Sequence, residues 1–406
     1  MTGTRLGGGS DFTTRLGFTE DEAAKLVALR RELHRHPELS WQEEATAALL
    51  ETALISLGAA KVRRVAGTGV VGRIPGRRRD APMIVLRGDI DALPIQEATG
   101  LDFASTTSGT MHACGHDIHA SWAIGAALLL AKAPAEVDVL VLLQPAEEVV
   151  EGAAAVLASG VLDGTAAIIG AHVDRRYEVG QVVAHQGAVA ASTDNFRIEL
   201  IGAGAHAARP HESADPVVGA AALITALQTL VSRRLEPGVP GVVTVGSVHA
   251  GTADNIIPSR AELIGTIRAT TPASRELLLN ELRRMSVNVA SAHGLEARVT
   301  FGARTPPLVN PPGPIGWARD AVRTVLGDDA LVPLAGPNMG GEDFAYYLER
   351  MPGCFLRIGA REPGGPWLPA HSPQFYAAEE SVFIGAAVLA ETARRAAGTA
   401  GPRSRS

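Results

Sequence analysis

The segment "MHACGHDIHA", Met111–Ala120, places three histidines, a cysteine and an aspartate within ten residues. Such a run can hold a metal ion, supply a thiol nucleophile or form a polar loop. Its neighbours narrow the choice. "PMIVLRGDIDALP" is an apolar run that ends in Asp89 and Asp91, "VLVLLQPAEE" ends in Glu147 and Glu148, and "AAIIGAH" ends in His172. These runs are apolar throughout, as expected of strands covered on both faces. Ligands of open α/β sheets bind beyond the carboxyl ends of the strands, so three strand ends would deliver carboxylate and imidazole to the edge that "HACGHD" borders. Adjacent carboxylates are costly unless a positive charge lies between them. A divalent ion answers that cost. A nucleophilic Cys114 would need an oriented base and an oxyanion hole, and its thiolate would be disfavoured beside two aspartates and two glutamates. The ligand reading is therefore preferred for Cys114 and His116. His112 and His119 are expected to give supporting hydrogen bonds, and His34 and His36 a structural role.

The elements that must carry these residues follow from periodicity. Ala23, Leu26, Val27, Arg30 and Leu33 recur at helical spacing between Glu20 and Arg35. Helix-like "ASWAIGAALLLAKA" and "EGAAAVLASGVL" alternate with the apolar runs, which predicts an α/β domain with a doubly wound, mostly parallel sheet. After about Gly187 the pattern alternates. Strands are expected at 195–201, 242–249, 262–268 and 297–301, with helices at 216–232 and 274–293, which describes an inserted α+β domain. Catalytic segments at 15–186 and 305–398 thus flank an insertion at 187–304, with flexible tails at 1–14 and 399–406.

Composition limits the functional classes. The chain has 406 residues, 46% hydrophobic and 20% charged, with a formal net charge of -6, which gives no basic footprint for nucleic acid. The apolar run from Trp122 stops at Lys132, short of the roughly 20 residues that span a bilayer. No apolar leader begins the chain, and its two cysteines argue against a disulfide framework, so a reducing cytoplasm is expected. Cys354, inside the apolar "GCFLRIGA", is expected to act as a small buried hydrophobe.

From about Glu22 to Glu380 the chain resembles the dinuclear-metal amidohydrolases of the aminoacylase and carboxypeptidase clan. Within that clan it is most similar to the branch of hippurate hydrolase, N-acyl-amino-acid amidohydrolases and plant auxin-conjugate hydrolases. The resemblance rests on "RRELHRHPELSWQE", "LRGDIDALPI", "MHACGHDIHA", "LLQPAEE", "GAHV", "GAGAHAARPHESADP", "DNIIP", "MGGEDFAYY" and "AHSPQF". It implies two divalent transition-metal ions (zinc, manganese, cobalt or nickel) held by Cys114, His116, Glu148, His172 and His371. It further implies Glu147 as general base, Asp91 as an orienting aspartate, and an insertion that serves as lid and homodimerisation domain. His206 would join catalysis across that dimer, and Asn255 and Arg268 would bind a substrate carboxylate. The implied reaction is hydrolysis of N-acyl amino acids, with a dipeptidase or a silent metal-containing binding protein as alternatives. Two departures stand out. "HVDRRYEVG" carries Asp174, Arg175 and Arg176 where relatives usually have tryptophan and proline, and "GGED" has glycine where serine is common. Asp89 takes a position where more distant clan members place a metal histidine.

Overall fold

The computed structural model describes residues 10–399, which divide into two compact units. The first comprises the chain up to Gly187 together with Asn310–Ala335 and Tyr346 onward; the second comprises Ala188–Val309 and Gly336–Ala345. The sequence expectation drew the insertion at 187–304. Gly336–Ala345 groups with the second unit because Asn338 pairs through its backbone with Val189 and Ala191. Ser10–Arg15, which overlaps the expected N-terminal tail at 1–14, is helical and buries Phe12.

The first unit is built on a seven-stranded sheet. Its strands are β1 (Ala60–Val65), β2 (Gly69–Ile74), β3 (Ile84–Asp89), β4 (Val139–Gln144), β5 (Ala167–Glu178), β6 (Val182–Val183) and β7 (Gly353–Arg361), in spatial order β1-β2-β4-β3-β5-β7-β6. The four central strands β4-β3-β5-β7 are parallel, while β1, β2 and β6 join antiparallel. The sheet is thus mixed: the expected parallel core is present, with antiparallel strands at its edges, of which only β1 and β2 are joined by a short turn. β3 and β4 are buried at every position, which explains their unbroken apolar sequence. Helices His116–Lys132 and Glu380–Thr399 contribute largely buried surfaces to the same core.

Register sets the site. Asp89 pairs with Gln144, and Arg87 with Gly170, so two residues further along Asp89 comes level with His172. Gly115 caps the helix that begins at His116, with φ of 90°, and a Cβ there would meet Val173 at 2.6 Å. Only glycine meets both demands.

In the second unit, four antiparallel strands run in the order Gly241–Ala250, Arg260–Ala269, Thr193–Ile201 and Glu296–Thr305. Their inward residues, among them Phe196, Ile198, Leu200, Leu263 and Ile267, pack with Leu223, Leu227, Leu278 and Leu282 of helices Pro216–Leu227 and Pro272–Ala292. Each helix starts with proline behind a capping side chain, Asp215 or Thr271. The apolar stretch Pro216–Arg234 is long enough to cross a membrane by length and composition, yet Leu223, Leu227 and Leu230 belong to this unit's core.

Candidate metal centre

Cys114, His116, Glu148, His172 and His371 come together at the carboxyl end of the parallel core. Cys114 Sγ lies 3.3 Å from His172 Nε2, His116 Nε2 3.8 Å from a Glu148 oxygen, and His371 Nε2 3.5 Å from the other Glu148 oxygen. Ligand atoms of Cys114, His116 and His172 all lie within 4.8 Å of one another, and so do those of Cys114, Glu148 and His371. Cys114 belongs to both triads.

The ring orientations are determined by their neighbours. His116 Nδ1 sits 2.9 Å from the Asp91 carbonyl, which only accepts, so Nδ1 carries a proton and Nε2 faces the cluster. His172 Nδ1 donates to the Val173 carbonyl at 2.6 Å, and its Nε2 is turned to Cys114. His119 accepts the Val173 N–H on Nε2 and donates from Nδ1 to Asp89 at 2.5 Å. It supplies the supporting contacts expected of it. His112 does not: it is buried, and neither ring nitrogen has a hydrogen-bond partner among the described residues.

Two further atoms bear on metal binding. His116 Nε2 and Glu148 Oε1 are buried without a hydrogen-bond partner among the described residues. Such orphans are rare in folded proteins, and here both belong to residues whose donors surround one point. Thiol, imidazole and carboxylate together make a donor set suited to a divalent ion, so the residues fit the metal pair.

The electrostatics of the metal-free cluster agree. Burial pushes the Cys114 thiol well up, and Glu148 adds to it, so this is not an activated nucleophile. Burial, with Asp91 and Asp89 nearby, raises Glu148 to about 7. Burial alone would lower His116, but Asp89 and Asp91 outweigh it and the ring is held well above the usual histidine range. His172 goes the other way: burial, His119 and the buried Arg357 beside it on β7 keep it neutral. The first three groups hold protons that a cation would displace.

Glu147 is buried, with its carboxylate 4.0 Å from His116 Nε2. Asp91 accepts from Ser40 Oγ at 2.7 Å and from the Glu148 N–H at 2.9 Å, besides facing His116. Asp89 pairs with Arg87 as well as His119, so it is tied into the support of the cluster. Of six non-glycine residues with positive φ among the described residues, Ala146 and Val150 flank the Glu147–Glu148 turn and His371 is itself one of the clustered residues. Each such residue costs about 1–3 kcal/mol and is held only where surroundings over-determine it.

Sequence reasoning gave no role to Ser40, Glu43 or Asp117, and placed Arg30 merely on a helix face. Buried Glu43 accepts the Ala146 N–H at 2.9 Å and so holds the turn into Glu147. Arg30 and His34, both 1% exposed, converge on Asp117 Oδ2 at 2.9 and 2.8 Å. His34 thus has the structural role expected of it, whereas His36 is exposed. The available signal was a charged residue at a core position of an amphipathic helix. Cys354 is fully buried, and burial pushes its thiol up to about 12.

The second unit holds the other candidates. His206 pairs with Ile256, and the Asn255 carbonyl accepts the Ala207 N–H at 3.0 Å. Both residues line an open cleft of about 810 Å³ with Gly251, Pro258 and Arg260. Arg268 is not part of it. It lies eight residues along the strand from Arg260, roughly 25 Å at the usual strand rise, and donates to Thr266 Oγ1.

Fold and site define a metal-dependent hydrolase of amide bonds. Residues 85–395 match peptidase family M20/M25/M40, and the chain belongs to that family. It is 39% identical to the N-acetyl-L-cysteine deacetylase of Bacillus subtilis, over 91% of this chain and 88% of that protein. It is 37% identical to the IAA-amino acid hydrolase ILR1-like 5 of Arabidopsis thaliana, over 94% and 88%. The Bacillus subtilis YXEP protein, described as a dinuclear metal binding peptidase from M20 family, superposes with a TM-score of 0.81 at 36% identity, covering 92% of this chain and 97% of that one.

Proposed function

We propose that this protein hydrolyses N-acyl amino acids to a carboxylate and a free amino acid. In this reading Cys114, His116, Glu148, His172 and His371 hold two divalent transition-metal ions, Cys114 being shared. The observation that carries it is the convergence of five donors around two orphaned buried atoms, next to the buried Glu147. Thiolate, imidazole and carboxylate suit zinc, manganese, cobalt or nickel better than magnesium or calcium. When bound, the pair lowers the pKa of the attacking water and polarises the scissile carbonyl. Glu147 takes the proton from that water and returns it to the leaving amine. Asp91 holds His116 in the tautomer that points Nε2 at the cluster.

Substrate contacts are assigned to the second unit. Arg268 suits bidentate binding of a free carboxylate, and Asn255 offers an amide donor beside His206. Because one strand separates Arg268 from the His206–Asn255 cleft by roughly 25 Å, one chain's copy of this unit cannot bring both to one small substrate. We therefore assign His206 and Asn255 to the site of a second copy, apart from the site that Arg268 serves. The edge strand Gly241–Ala250, with exposed Val242 and Val248, supports a homodimer through this unit, since an unpaired edge invites pairing. Two free, buried cysteines suit a reducing compartment, which favours the cytoplasm.

The test combines metal analysis with product release. Purified protein should hold two ions per chain and liberate free amino acid from N-acyl amino acids, losing activity on chelation and regaining it on metal return. Metal-loaded protein that cleaves no member of a broad acyl panel would point to a binding protein, and preference for dipeptides would point to a dipeptidase.

A further inference from the structure

The charged run after His172 has a structure of its own. Alternation along β5 turns Val173, Arg175 and Tyr177 to the face opposite His172, so Arg175 does not point into the metal cluster. Its side chain is nevertheless only 1% exposed. One terminal nitrogen donates to the Tyr376 carbonyl at 2.7 Å and the Ala360 carbonyl at 3.3 Å; the other donates to the Pro366 carbonyl at 2.9 Å and Glu362 Oε2 at 3.1 Å. The guanidinium also stacks 4.4 Å from the Tyr376 ring centroid.

These partners belong to one loop. β7 ends at Arg361, and the chain returns at Ala378, whose N–H bonds the Ala360 carbonyl at 3.0 Å. Residues 361–377 thus form a loop closed at its neck, and Arg175 fills that neck, gripping both flanks and one point within. At the far side the loop presents His371, with φ of 65° and its N–H bonded to the Ala113 carbonyl at 2.8 Å, next to Cys114. Pro373 accepts the Ala98 N–H at 2.7 Å. A half-exposed histidine on a loop has no strand or helix to fix it, unlike His116 and His172. A buried arginine, in turn, is tolerated only where several acceptors satisfy it.

We propose that Arg175 is a positioning residue for His371: it fixes the loop neck and thereby sets the affinity of the metal position formed by Cys114, Glu148 and His371, without contributing to the position formed by Cys114, His116 and His172. This inference rests on the two-metal reading. It gives Arg175 a role in metal retention, where contact with substrate would otherwise be the natural guess.

The test titrates manganese(II) into metal-free protein by calorimetry, comparing wild type with Arg175→Lys, Arg175→Met, His371→Ala and His172→Ala. Lysine keeps the charge but, as a point donor, cannot bridge carbonyls on both flanks of the neck; methionine keeps the volume and removes the charge. The expected result is that both Arg175 variants bind one of two ions at least about tenfold more weakly, as removal of an outer-shell support does, and the other ion normally. The weakened ion should be the one lost in His371→Ala and kept in His172→Ala, and adding Arg175→Lys to His371→Ala should cost nothing more. Wild-type affinity for both ions in the Arg175 variants, or equal weakening of both, would overturn the proposal. Should Arg175→Met fail to fold, Arg175→Lys alone decides between these results. If wild type itself takes up no pair of ions, the two-metal reading falls and the clamp falls with it.

Discussion

The two units carry their histidines in opposite ways. In the first, His116, His119 and His172 are each held by a backbone or carboxylate partner, are buried or nearly so, and differ in charge because their neighbours differ. In the second, His206 stands exposed in an open cleft, its Nδ1 accepting only the Ala208 N–H two residues on, at 3.1 Å. On the proposed function, the contrast separates two kinds of functional residue. Burial gives His116, His172 and Glu147 a low dielectric, and His116 and His172 fixed tautomers, whereas the half-exposed His371 depends on its loop to be placed. A group that serves a neighbouring chain must be presented at a surface and acquires its environment when that chain is present.

Four changes test that separation. The largest effect is expected from Glu147→Gln, which should keep both ions and lower kcat by about 10²–10⁴-fold, since only the proton carrier is lost. Near-normal turnover with metal retained would remove Glu147 from its role. His206→Ala should lower kcat by about 10²–10³-fold, the usual cost of an oxyanion donor, again with metal content unchanged. A loss of metal in this variant would erase the distinction between the units. Arg268→Ala should act mainly on KM, raising it by about 10–100-fold for substrates with a free carboxylate, as expected for a charged hydrogen bond. Equal effects on amides lacking that carboxylate would contradict the assignment. A further test concerns pH. Cys114, His116 and Glu148 all titrate above their ordinary values in the metal-free chain, so each holds its proton to higher pH and metal must displace it. Metal affinity should therefore rise with pH, by up to about tenfold per unit for each proton displaced, and binding should release protons into buffer. Calorimetry in buffers of differing ionisation enthalpy measures that release; none detected between pH 6 and 7 would count against these ligands.

Much of the first unit was legible because its signals are local. Unbroken apolar runs announced covered strands, and a polar residue at the end of each announced a shared edge. The strands and helices of the second unit also followed from alternation and spacing, although their ends moved by a few residues. What escaped has a common cause. Arg30, Glu43 and Arg175 act through partners distant in sequence, Asp117, Ala146 and the loop neck, and no window of neighbouring residues reveals those meetings. The direction of the outer strands of the main sheet was not legible for a related reason: β1 and β2 match β3 and β4 in length, and only the pairing itself shows which way they run. The left-handed backbone at Ala146, Val150 and His371 also lacked the glycine that ordinarily marks it.

The account stands most directly on the claim that catalysis divides between a buried cluster in one chain and an exposed histidine from another. Mixing His206→Ala protein with Glu147→Gln protein tests it. Once subunit exchange has been demonstrated, half of the dimers would pair the two variants, and each pair would hold one site with both groups intact. Activity should then rise from near zero to about a quarter of wild type. No rise above either parent would contradict the account and return His206 to its own chain or to no catalytic role.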